Sequence, residues 1–161
     1  KDGKEFNCSN QHLKKIPFIP ETVEILYCGD NKLKELPELP KGLKILYCYF
    51  NNLIKLPKLP KGLEIFSCQY NNLKELPKLP KKLEILECNN NKLKKLPELP
   101  KGLEMFNCYN NNLSELPRLP KGLNYFNCSY NDLPYENLKE YWKWFYKQNP
   151  DLGEANKLGL L

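Results

Sequence analysis

The chain is short of the residues that most often carry chemistry. Its 161 residues include one histidine (His12), one arginine (Arg118) and one methionine. A lone histidine assembles no acid–base relay, and a lone arginine gives almost no bidentate grip on phosphate. There is no C-x-x-C pair, glycine-rich phosphate loop or nucleophile elbow, so no catalytic residue, metal or cofactor is expected and the protein is not expected to be an enzyme. Apolar runs last only a few residues, and no charged-then-apolar pattern opens the chain, so neither a membrane-spanning helix nor a secretory signal is expected. Lys+Arg of 25 against Asp+Glu of 19 leaves a net charge of +6, nearly all of it lysine. That excess allows an acidic partner without naming one.

What is present is a period of twenty residues. All seven cysteines fall on it, from Cys8 to Cys128. Asparagines recur from Asn31 to Asn131, and twelve of the 14 prolines form two columns, Pro17 to Pro117 and Pro20 to Pro120. One unit, begun at Leu43, reads L-x-x-L-x-C-x-x-N-x-L-x-x-L-P-x-L-P-x-x. Fixed self-similarity at this length is the mark of a stacked-coil architecture. Around Leu46 and Cys48, inward apolar and outward variable residues alternate with period two, which predicts one short strand per unit with one buried face. Consecutive strands run the same way, so the sheet is parallel and each unit needs a return leg. Leu56-Pro57-Lys58-Leu59-Pro60 predicts that leg as extended, polyproline-like backbone.

The unit Leu43, Leu46, Cys48, Asn51, Leu53, Leu56, Leu59 with Pro57 and Pro60 resembles the leucine-rich repeat, and its double Leu-Pro half is similar to the short repeats of bacterial effectors of the YopM and IpaH kind. The resemblance covers residues 3 to 133. It implies a right-handed leucine-rich-repeat solenoid: a curved parallel sheet of seven strands, an extended convex side, and a host protein as target inside cells. Cysteine stands where those effectors more often carry an aliphatic residue. No ubiquitin-ligase domain follows in this sequence, so the IpaH activity is not carried over.

Each column has a physical assignment. The asparagine amide has two donors and an acceptor to satisfy backbone groups where the chain leaves the strand. Gly42, Gly62, Gly102 and Gly122 precede the strands and are expected to provide a positive φ, although Lys82 stands there once. The cysteines are expected to form a row of small apolar side chains. In-register Cβ atoms on parallel strands point the same way instead of converging on a disulfide, and no spacing suits zinc. Seven reduced thiols, with Asn-x-Ser sequons at Asn7, Asn112 and Asn127, favour the cytoplasm.

The expected domains are the repeats, residues 1–133 with units starting at 3, 23, 43, 63, 83, 103 and 123, and a helical cap, residues 134–161. At the amino end Gly3 and Gln11 replace consensus residues, so either the chain is a processed or excised piece or the first unit caps itself with Lys1, Asp2, Lys4 and Glu5. At the other end Pro134 opens a predicted helix over Tyr135–Lys147. Its apolar arc holds Tyr135, Leu138, Tyr141, Trp142 and Phe145, and Asn149-Pro150 ends it. Trp144 lies off that arc, either exposed as a contact or packed on residues 150 to 161. The tail through Leu158, Leu160 and Leu161 is expected to fold back.

Function is sought where the repeats differ. The position before cysteine holds Tyr27, Tyr47, Ser67, Glu87, Asn107 and Asn127. The position after it holds Gly29, Tyr49, Gln69, Asn89, Tyr109 and Ser129, and the next Asp30, Phe50, Tyr70, Asn90, Asn110 and Tyr130. All three are expected to face the concave side. There Tyr27, Tyr47, Tyr49, Phe50 and Tyr70 form an aromatic cluster with a notch at Gly29, and Glu87 belongs to a polar continuation. Such a surface suits a protein or peptide partner, or else stabilises the sheet by stacking. Two other readings are an assembly module that stacks through its ends and a polyanion binder using Lys41, Lys61, Lys81, Lys101 and Lys121. Nucleic acid and membrane are disfavoured as partners because lysines beside prolines in exposed turns serve solubility.

Overall fold

Seven three-residue strands follow one another in chain order. They are β1 (Glu5–Asn7), β2 (Ile25–Tyr27), β3 (Ile45–Tyr47), β4 (Ile65–Ser67), β5 (Ile85–Glu87), β6 (Met105–Asn107) and β7 (Tyr125–Asn127). They make one parallel sheet in which each residue pairs with the residue twenty positions on, as Leu46 does with Leu26 and Phe66. The structure, a computed structural model, describes residues 3–152. The architecture is a right-handed leucine-rich-repeat solenoid closed by helix α1 (Leu138–Gln148).

The strands are short because the return leg has little hydrogen-bonding capacity of its own. Two prolines per unit remove donors, and the leg adopts no helix or strand between one turn and the next. Pairing continues instead at the corners of each coil. Cys48 N–H donates to Ser67 O at 2.9 Å, Phe50 N–H to Gln69 O at 3.0 Å, and Asn52 N–H back to Leu33 O at 2.9 Å. Every inner coil is therefore bonded to both neighbours. The core lies between sheet and leg, with Leu26, Leu46, Phe66, Leu86 and Phe106 fully buried from the strands and Leu33, Leu53, Leu73, Leu93 and Leu113 from beyond them. At roughly 1.5–3 kcal/mol per fully buried large apolar side chain, these columns dominate the stability of the stack.

The asparagine ladder works as the sequence predicts and reaches further. Asn51 Nδ2 donates to Cys48 O (3.3 Å) and Tyr49 O (3.1 Å) in its own coil and to Cys28 O (3.0 Å) in the preceding one, while its Oδ1 accepts Leu33 N–H (2.9 Å). The same set recurs at Asn71, Asn91 and Asn111. Each amide thus ties two coils together. Cys28 to Cys128 are buried and Cys8 is half-buried; all seven are free thiols.

Two local expectations are corrected. None of Gly42, Gly62, Gly102 and Gly122 has a positive φ, and a Cβ there would meet nothing within 4 Å. The turn is closed by an i to i+3 bond, Leu43 N–H to Pro40 O at 3.1 Å. Both of its central residues keep negative φ, as in a type I turn, which is why Thr22 and Lys82 fit equally well. The helix starts at Leu138, not Tyr135, because Asn137 caps it: Asn137 Oδ1 accepts Glu140 N–H at 3.0 Å, and Glu140 Oε2 accepts Glu136 N–H at 3.0 Å. This Asn-x-x-Glu arrangement is close to a capping box and overrides the preference of Pro134 for a first turn. Tyr135, left outside the helix, is instead buried beside the Tyr141 ring. Lys1, Asp2 and the tail leucines lie outside the described residues.

Candidate functional site

The pleat of each strand decides what the outer face shows. With Leu46 turned inward, Ile45 and Tyr47 turn outward, and both are half-buried. Tyr27 and Tyr47 stack at 5.2 Å and 8°, Tyr47 meets Tyr49 edge-on at 6.4 Å, and Tyr49 meets Phe50 edge-on at 6.0 Å. Phe50 stacks on Tyr70 at 4.2 Å and 11°. The five aromatic residues read from the sequence therefore form one continuous run of rings across β2–β4. Burial, with the neighbouring Tyr27 and the Glu87 carboxylate, raises the Tyr47 phenol above its ordinary value, which puts Glu87 within electrostatic reach of the run.

The expected notch at Gly29 is not there. A Cβ on Gly29 would come within 2.7 Å of the Tyr49 ring, which packs against the buried glycine. Gly29 is thus the seat of Tyr49. Asp30 is exposed one residue on. Gln69 accepts a hydrogen bond from Ser67 Oγ, which also contacts Glu87 Oε2 at 3.1 Å, so the polar continuation starts from a bonded trio and Ser67 itself is buried. Tyr109 and Tyr130 form a second aromatic contact, with centroids 5.1 Å apart, separate from the first run.

Backbone geometry singles out three of these residues. The position two after cysteine is left-handed in every coil: Asn10, Asp30, Phe50, Tyr70, Asn90, Asn110 and Tyr130 have φ between 46° and 59°. Asparagine and aspartate tolerate that region; an aromatic side chain there costs about 1–3 kcal/mol. Phe50, Tyr70 and Tyr130 nevertheless occupy it, and they are 47%, 45% and 73% exposed. Ring stacking returns about 0.5–1.5 kcal/mol per pair, so Phe50, with two ring contacts, can recover the strain, whereas Tyr130, 73% exposed with one such contact, recovers less.

The sequence reading missed a column on the same face. Ile25, Ile45, Ile65, Ile85, Met105 and Tyr125 point outward beside the aromatics; the first five are half-buried and Tyr125 is exposed. Strict alternation from the buried Leu46 would have assigned them outward. Along the sheet edge Glu24 is held by Lys4 (2.8 Å) and Lys44 (2.6 Å), and these lysines hold its carboxyl down to about 2. Trp144 is half-buried against Tyr135 and Tyr141, at 5.1 and 6.2 Å, so it belongs to the packing of the cap. The expected packing on residues 150 to 161 falls mostly outside the described residues.

No family model and no curated protein matches the chain. Solved structures do. A Shigella effector leucine-rich-repeat domain is 35% identical with a TM-score of 0.78, over 82% of this chain and 60% of that one. YopM from Yersinia enterocolitica is 31% identical with a TM-score of 0.46, over 74% of this chain and 36% of that one. The chain thus spans less than two thirds of the length of either structure. The twenty-residue unit, the seven-stranded sheet and the first of these likenesses make the chain a leucine-rich-repeat protein of the short Leu-Pro type. Within that class it is a cysteine variant, similar to the repeat domains of bacterial effectors.

Proposed function

We propose that the chain is a binding module for another protein or peptide, docking on the concave outer face of the sheet. The observation that carries this reading is the set of exposed rings in left-handed backbone, Phe50 and Tyr70 above all, where other coils use asparagine or aspartate. Exposed rings offer large contact area with little rotamer entropy to lose on binding. The likeness to effector repeat domains supports a protein as partner and a host cytoplasm as the place of action. A catalytic reading gains nothing from the thiols: Cys48, Cys68 and Cys88 are fully buried, and burial holds them protonated well above the ordinary thiol range.

The test compares proteins captured from cell lysate by the wild type and by a Tyr47→Ala, Tyr49→Ala, Phe50→Ala triple variant with an unchanged circular dichroism spectrum. Partners specific to the wild type are expected to disappear. A folded variant that retains all of them removes the aromatic run from the binding surface.

A further inference from the structure

Charge is sorted by column on this solenoid, and the sorting indicates the chemistry of the occupant. The whole chain is +6, yet the outer face is acidic. Its edge column reads Lys4, Glu24, Lys44, Glu64, Glu84 and Glu104, and both lysines pair with Glu24. Glu64, Glu84 and Glu104 then follow one another on adjacent coils, with Glu84 N–H on Glu64 O at 2.9 Å and Glu104 N–H on Glu84 O at 2.8 Å. Among the described residues none of the three makes an ion pair. Strand spacing of about 4.8 Å sets these carboxylates in a row of like charge, which by itself weakens a sheet. Glu87 and Asp30 carry the same sign into the aromatic columns. The turn lysines Lys41, Lys61, Lys81, Lys101 and Lys121 are all exposed in another column, before the strands.

Between the carboxylate row and the aromatic run lies the apolar stripe of Ile65, Ile85 and Met105. Carboxylates attract ammonium and guanidinium groups, ring faces attract the same cations, and the stripe accepts aliphatic side chains. We propose that the outer face takes a basic segment of another protein, in which lysine or arginine alternates with apolar residues. Its cations meet Glu64, Glu84 and Glu104 and the faces of Phe50 and Tyr70, and its apolar side chains lie on Ile65, Ile85 and Met105. This rests on the outer-face reading above and names the partner's chemistry. It also sends any polyanion away from this face and toward the turn lysines.

Three short synthetic peptides separate the outcomes: Lys-Leu-Ser repeats, the same with glutamate for lysine, and the same with serine for lysine. Amide shifts of isotope-labelled protein report where each binds, and fluorescence anisotropy reports how tightly. The lysine peptide is expected to shift the outer columns of β3–β6, to bind about tenfold tighter than the serine peptide, and to lose that margin in about 0.3 M salt. A Glu64→Gln, Glu84→Gln, Glu104→Gln variant should lower lysine-peptide affinity about tenfold and leave the serine peptide unaffected. Equal affinity of the lysine and serine peptides at the outer face overturns the basic partner and leaves the docking face standing. Shifts confined to the turn lysines, or no shift of outer-face amides with any peptide, overturn both.

Discussion

Tyr70 and Asn71 are neighbours in the chain and follow opposite rules. The Asn71 amide bonds the carbonyls of Cys48, Cys68 and Gln69 and accepts Leu53 N–H, and the same residue type recurs twenty positions to either side. Tyr70 sits in left-handed backbone with its ring nearly half exposed, and its counterparts are Phe50 and Asn90. The inner columns are uniform because every coil must present the same groups to the next. The outer columns are released from that demand, so departures from the locally favoured residue there mark a different requirement.

The comparison breaks most readily from the inside, and the largest effect should come with alkali. Burial raises the thiols from 9.0 to about 12 at Cys128, and further at Cys48 and Cys88. The unfolded chain releases these protons above about pH 9 while the folded chain keeps them. Stability is therefore complete below that pH and lost as pH climbs toward the folded values, by up to about 1.4 kcal/mol per pH unit for each buried thiol. Urea midpoints at about pH 8 and about pH 10 should differ widely, and a Cys48→Ala, Cys68→Ala variant should show a shallower slope. An unchanged slope would remove the thiols as its cause.

Next in size is Asn71→Leu, expected to cost roughly 1–3 kcal/mol because buried carbonyls lose their donor. An unaltered melting temperature would contradict the ladder's role. Tyr130→Asn should do the reverse and stabilise by about 0.5–1 kcal/mol, since asparagine tolerates the left-handed region and little of this 73% exposed ring is packed. A fall in stability would show that the outer rings serve the fold after all. The smallest effect belongs to Glu24→Gln. With its pKa lowered to about 2 by Lys4 and Lys44, Glu24 contributes above the ordinary carboxylate range and loses that contribution as pH falls through the folded value. The difference between wild type and variant should be small at neutral pH and low salt, and should vanish as pH falls toward about 2 and in about 0.5 M salt.

Much of this was legible in one dimension. A stacked coil repeats its contacts at the same interval as its residues, so leucines, cysteines and asparagines at intervals of twenty specified strand, core and turn without further information. Even the aromatic run could be read, because adjacent coils bring positions twenty apart side by side. The outward isoleucines could not be seen from apolarity alone, since an apolar residue on a half-covered face looks like core until the pleat is applied from a known inward neighbour. The helix start was misread because Pro134 is a strong local signal, whereas the Asn137 and Glu140 cap outweighs it through three hydrogen bonds.

By itself, then, the sequence determined the twenty-residue solenoid and the leucine, cysteine and asparagine columns that point inward, because those follow from a strict period and from the hydrogen-bonding capacity of proline and asparagine. Only the tertiary structure decided that Tyr49 fills the space over Gly29, that Phe50, Tyr70 and Tyr130 stand in left-handed backbone, and that an apolar column lies beside the rings. Those outcomes depend on side-chain volume and backbone twist meeting across neighbouring coils, which no single coil specifies.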